Sequence, residues 1–128
     1  MHNNELQEDY SSISLMHYSQ LLNFLGPFGI IVPIIIWSSK KKDIKDMDEH
    51  GRAVINFQIS VLIYSVVFSI LLLVSMVLSL FIVGFLFLFI LFFVGIALAL
   101  LMIITPIMGG MAASEKRLYK YPMSIKFL

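Results

Sequence analysis

The chain is 128 residues long, enough for one domain, with 59% hydrophobic and 13% charged residues and a formal net charge of +1. Ordinary soluble domains carry about 25% charged residues; this composition cannot clothe a soluble fold, and its few scattered basic residues make no nucleic-acid footprint. Cysteine is absent, which excludes disulfides, thiolate nucleophiles and iron–sulfur clusters.

Residues 1–12 are polar, with three acids and no Lys or Arg, and are expected to form a loosely held tail. An acidic start without a small-residue cleavage pattern argues against a secretory signal. Ser11 or Ser12 is the expected cap of a helix beginning at Ile13. The next hydrophobic stretch, 15–37, is long enough for one span of about 30 Å, kinked at Gly26-Pro27 because proline lacks an amide hydrogen and clashes with the preceding turn. The alternative is an interfacial helix followed by a piece too short to cross. Trp37 is expected in the interfacial aromatic belt.

A polar loop follows, with Lys40, Lys41, Lys42, Asp43, Lys45, Asp46, Asp48 and Glu49. Asp46 or Asp48 is placed to cap the next helix, and Arg52 is spaced to meet Asp48 or Glu49. From 53 to 114 there is no Asp, Glu, Lys or Arg. A buried soluble helix accounts for only 10–14 such residues, so this run predicts two spans, about 55–78 and 85–108, with a reversal between Ser79 and Gly84. The expected fold is therefore all-α: a polytopic helical membrane protein with about three transmembrane helices, the first kinked or partly interfacial. The membrane domain covers 13–113, and 114–128 forms a basic aromatic tail. Tyr119, Lys120, Tyr121 and Pro122 in that tail suit a segment lying on the membrane surface, aromatics down and amines near phosphates.

Charge placement sets the expected orientation. The 38–52 loop and residues 114–128 hold the Lys and Arg residues; residues 1–14 hold none. The positive-inside rule places the loop and the C-terminus in the cytoplasm and the N-terminus outside, in a multi-pass plasma-membrane protein.

Two kinds of candidate site stand out. Arg52, Asn56, Ser60 and Tyr64 share one helical face at successive i, i+4 spacing. They form either a packing stripe against the first span or the lining of a cavity. Gly95 with Ala99, and Gly109 with Ala113, are small-xxx-small pairs that allow close helix contact. No metal site, cofactor motif or catalytic residue is expected. His17 and His50 show no recognisable ligand spacing, and neither an HExxH nor a phosphate-binding glycine loop occurs.

The run His50-Gly51-Arg52-Ala53-Val54-Ile55-Asn56-Phe57-Gln58-Ile59, two hydrophobic spans, and then Tyr119-Lys120-Tyr121-Pro122-Met123-Ser124-Ile125 resemble the bacterial Tic20-like (DUF4870) family. Gly26-Pro27-Phe28-Gly29, Pro33 and Trp37 fit the same pattern upstream. The sequence departs from it at Val54-Ile55, where that family more often has an acidic residue followed by alanine. The resemblance implies a helical bundle in a bacterial plasma membrane and no specific chemistry. The expected function is that of a structural or accessory membrane protein rather than an enzyme. Its expected partners are membrane lipid and either a second copy or another membrane protein, not nucleic acid. A small transport or protein-import subunit is the alternative.

Overall fold

The computed structural model describes residues 6–128; part of the expected N-terminal tail, residues 1–5, lies outside them. The described chain is helical: α1 Tyr10–Tyr18, α2 Phe28–Lys40, α3 Met47–Leu78 and α4 Ile82–Ser114, with a 3-10 segment over Ser19–Leu25. Two of these helices, α3 and α4, are long and apolar enough to cross a membrane; α2 is apolar but short.

The first hydrophobic segment does not form one kinked span. Asp9, rather than Ser11 or Ser12, starts α1 by accepting the Ser12 N–H at 3.1 Å and the Ser12 hydroxyl at 2.7 Å. The helix tightens into the 3-10 segment and stops at Gly26, whose φ of 112° is open to glycine and strained for other residues. Pro27 then precedes the first residue of α2, where its missing N–H costs nothing. The chain comes back to its starting level. Gln7 forms a parallel bridge with Ile44, its N–H donating to Asp43 O at 2.9 Å and its carbonyl accepting from Lys45 N–H at 2.7 Å. Tyr10 donates to Asp46 at 2.6 Å, and Glu8 pairs with both Lys45 and Lys116. Residues 7–10, the 41–46 loop and the start of the C-terminal tail therefore occupy one end of the molecule, called the polar end below. Residues 7–10, part of the tail expected outside, are thus hydrogen-bonded to the loop expected in the cytoplasm.

The long pair reverses tightly at 79–81. Gly84 sits so close to the Leu78 carbonyl and Ser79 nitrogen that a Cβ there would overlap them. At 32 and 33 residues, α3 and α4 are each about 50 Å long at 1.5 Å per residue, well beyond the roughly 30 Å of bilayer hydrocarbon. The surplus lies at the polar end. Buried residues of α3 run from Met47 to Val61, with Ser75 alone beyond; those of α4 concentrate from Thr105 to Ala113. There α1 packs mainly on α4, and α2 on the 3-10 segment and α3. Ile13, Met16, Met47, Val54, Phe57, Val61, Ala113 and Tyr121 make the core. Beyond Val61 the two helices expose their large apolar side chains, from Leu62 and Val66 to Leu80 and Ile82. The molecule is thus a packed polar-end half joined to a bare two-helix hairpin.

Candidate functional site

The polar-end core encloses a continuous chain of hydrogen-bonded side chains drawn from α1, the 3-10 segment, α3 and the C-terminal tail. Asn23 Nδ2 donates to Gln58 Oε1 at 3.0 Å, Gln58 Nε2 to Gln20 Oε1 at 2.8 Å, and Gln20 Nε2 to Tyr121 Oη at 2.7 Å. Tyr121 Oη lies 2.6 Å from His17 Nδ1, and His17 Nε2 lies 3.0 Å from His50 Nδ1. His17, Gln20, His50, Gln58 and Tyr121 are all buried.

Proton positions along this chain follow from its amide end. Tyr121 already accepts from Gln20, so its own hydrogen has a buried partner only if it donates to His17 Nδ1. His17 then carries its proton on Nε2 and donates to His50 Nδ1. Every donor points the same way, from Asn23 toward His50. Among the described residues no buried side-chain nitrogen or oxygen is left without a partner, which is what a buried polar chain needs to avoid a desolvation penalty. Burial, with His50 adding to it, pushes the His17 pKa down to about 3, so the imidazole stays neutral. Burial likewise raises the Tyr121 phenol and keeps it protonated. Tyr10, at the polar end, is pushed up to about 12 by its hydrogen bond to Asp46.

The Asn56, Ser60 and Tyr64 face holds the chain's own C-terminal tail. Asn56 Oδ1 accepts the N–H groups of Phe127 and Leu128 at 2.9 and 2.8 Å. Ser60 Oγ accepts the Ile125 N–H at 2.7 Å while donating to the Asn56 carbonyl. Tyr64 Oη donates to the Met123 carbonyl at 2.6 Å. The tail thus occupies the face expected either to pack against the first span or to line a cavity. Arg52, the fourth member of that stripe, turns to solvent and pairs with Asp48 at 3.0 Å. Asp48 also accepts from Trp37 Nε1, so Trp37 is tied to the polar end of α3.

The tail residues divide. Tyr121 is inside the core, its ring nearly parallel to and alongside that of His17 and tilted against Phe57; it does not lie on a membrane surface as expected. Tyr119 packs edge-on to Tyr121, while Lys120 and Pro122 stay exposed. The small residues serve contacts within the chain. A Cβ on Gly109 would collide with Tyr121 Oη and His17 Nδ1, and one on Gly110 with the Tyr18 ring. Ala113 is fully buried in the core. Gly95 meets Phe68 across the bare hairpin, and with Ala99 lines a shallow apolar groove. A second apolar groove of about 480 Å³ lies between Ile63, Val67, Leu71, Val94 and Leu98, with Tyr64 and Met123 on its wall.

Sequence reasoning overlooked Gln20, Gln58 and the meeting of His17 with His50 and Tyr121. The available signal was the presence of two glutamines and two histidines within or beside apolar helices, where each needs a partner. No group of three or more His, Cys, Asp or Glu residues suited to a metal ion occurs among the described residues. With His17 Nε2 and His50 Nδ1 already bonded to each other, the two histidines form part of the packing.

Compared with known proteins, residues 8–128 match the model of a family described as the magnetosome magnetite crystal formation protein family. No curated protein and no solved structure matches. The family match covers nearly the whole chain and overturns the resemblance to the Tic20-like (DUF4870) family. The Asn-Phe-Gln run and the Tyr-Pro tail that carried that resemblance are here fold-forming residues: Asn56, Phe57, Gln58 and Tyr121 all belong to the packed half.

Proposed function

The chain belongs to the magnetosome magnetite crystal formation protein family, and from that premise we propose that it is a non-catalytic accessory protein of the membrane at which magnetite crystals form. The observation that supports this most is the one-sided distribution of its chemistry. All nine Lys and Arg residues fall in 40–52 or 116–126, the segments that begin or end at the polar end. The reversal at 79–81 offers one polar side chain, Ser79, among exposed Leu80, Phe81 and Ile82. A partner or a mineral surface that reads charge meets the molecule at the polar end or not at all.

By the positive-inside rule that end faces the cytoplasm. The N-tail, hydrogen-bonded to the loop, then faces the cytoplasm too, and two helices cross. Such a protein acts on crystal growth through what it gathers or positions in the membrane, with lipid and protein partners, rather than by turning over a substrate.

The test is genetic. A magnetite-forming cell lacking the gene is complemented with wild type, with a polar-end variant (Lys40, Lys41 and Lys42 all to Ser) or with a turn variant (Ser79→Ala). Crystal dimensions are then measured by electron microscopy. Altered crystals in the null, rescue by Ser79→Ala and failure of the triple variant at equal expression support the proposal. Crystals unchanged in the null, or rescue by the polar-end variant but not the turn variant, oppose it.

A further inference from the structure

The tail is bound in an unusual manner. Three side chains spaced i, i+4 and i+8 on α3 make four hydrogen bonds to it, all to its backbone: the N–H groups of Ile125, Phe127 and Leu128 and the carbonyl of Met123. None of these bonds depends on a tail side chain. Met123, Ile125, Phe127 and Leu128 instead leave much of their apolar surface exposed. The site recognises backbone groups, from a helix face about 12 Å long.

The connection to this segment is a hinge. Tyr121 stays anchored in the core, and the chain then turns at Pro122-Met123. Met123 has φ of 59°, a left-handed conformation that an unbranched L-residue holds at a cost. Straightening the chain at Met123 relieves that strain and frees residues 124–128 without touching the Tyr121 anchor.

We propose that residues 124–128 exchange between two copies of this protein, each copy's C-terminal segment lying on the Asn56–Ser60 face of the other. The occupant seen on that face is this segment, so a second copy's identical segment satisfies the same acceptors. Closed and exchanged forms make the same bonds to Asn56 and Ser60; they differ in hinge strain, which favours exchange, and in the entropy of association, which confinement to a membrane reduces. The exchange does not depend on any role in crystal formation.

The absence of cysteine makes the test clean. Ser60→Cys and Ile125→Cys are placed in separately tagged copies, co-expressed, and oxidised in native membranes; Asn56→Cys with Phe127→Cys forms a second pair. Exchange predicts a disulfide-linked heterodimer carrying both tags. If the separate variants give none while the double variant closes only within one chain, the proposal is overturned; if no disulfide forms in either arrangement, the tail does not occupy this face and the proposal also fails. Two hinge variants give the direction. Met123→Gly removes the strain and should lower the between-chain fraction about fivefold, the ratio corresponding to ~1 kcal/mol. Met123→Pro forbids the left-handed turn and should raise it. An unchanged ratio in both variants contradicts the hinge.

Discussion

The two halves of α3 are one uninterrupted helix built on opposite rules. From Met47 to Val61 it buries Asn56, Gln58, Ser60 and His50 alongside Val54 and Phe57; from Leu62 to Leu78 it turns Leu62, Ile63, Val66, Ile70 and Leu73 outward. In water the second half would aggregate. In a bilayer, outward leucine is at home, and backbone and side-chain polar groups must be paired inside the protein. The lesson is that polar residues here mark the packed half, and the apolar ones the lipid-bare half.

That contrast makes the largest mutational effects polar. Tyr121→Ala empties an aromatic core site and should destabilise the fold by about 3–5 kcal/mol. Tyr121→Phe keeps the ring but leaves His17 Nδ1 and one of the two Gln20 Nε2 hydrogens without a partner, the other still donating to the His17 carbonyl, an expected loss of about 1–3 kcal/mol. Thermal unfolding in lipid nanodiscs measures both; a phenylalanine variant as stable as wild type would show that the hydroxyl chain is dispensable.

Acid should weaken the packed half selectively. The His17 pKa is about 3 in the folded protein against 6.5 unperturbed. Its neutral form is retained only in the packed state, so its contribution is complete above pH 6.5 and declines as pH falls toward 3. At pH 5 the deficit from this one group is ~2 kcal/mol. Unfolding midpoints at pH 7.5 and 5 in wild type and His17→Gln check the sign, because the variant should show the flatter profile.

Glycine substitutions sharpen the comparison further. Gly109→Ala forces a methyl group against Tyr121 and His17 and should cost about 1–3 kcal/mol. Gly95→Ala meets only the tip of the Phe68 ring, at 3.0 Å, a side chain free to shift, and should cost less. Smallest of all, Leu73→Val on the bare half should stay within about 0.5 kcal/mol. Equal losses at Gly95 and Gly109 would erase the distinction between the halves.

Much of this architecture could be read from the chain. The uncharged run from 53 to 114 and the need to fold it once led directly to a pair of apolar helices turning near Ser79. The reversal at Gly26-Pro27 was visible as a break, but not its angle. Hydropathy cannot distinguish a kink from a return, because both keep the same apolar residues in lipid. The return is dictated by long-range contacts, Gln7 with the 43–45 backbone and Tyr10 with Asp46, which leave no local pattern. The stripe at Asn56, Ser60 and Tyr64 was evident from its spacing. Its partner was not, since the tail offers backbone groups and any sequence has those. Tyr121 was misplaced on the surface because aromatic–lysine alternation describes an interfacial strand as well as one that sends a single ring inward.

We propose that residues 6–10, the 38–52 loop and the start of the C-terminal tail share one side of the membrane, with the 79–81 turn on the other. Single cysteines in this cysteine-free chain test it directly: Leu6→Cys, Ser39→Cys, Glu115→Cys and Ser79→Cys, each labelled with a membrane-impermeant maleimide in sealed vesicles of known orientation. Labelling of positions 6, 39 and 115 from one side, and of 79 only from the other or after permeabilisation, is the expected pattern. Labelling of position 6 from the side opposite position 39 would mean that the first hydrophobic segment crosses the bilayer, and would contradict the hairpin on which the packed half is built.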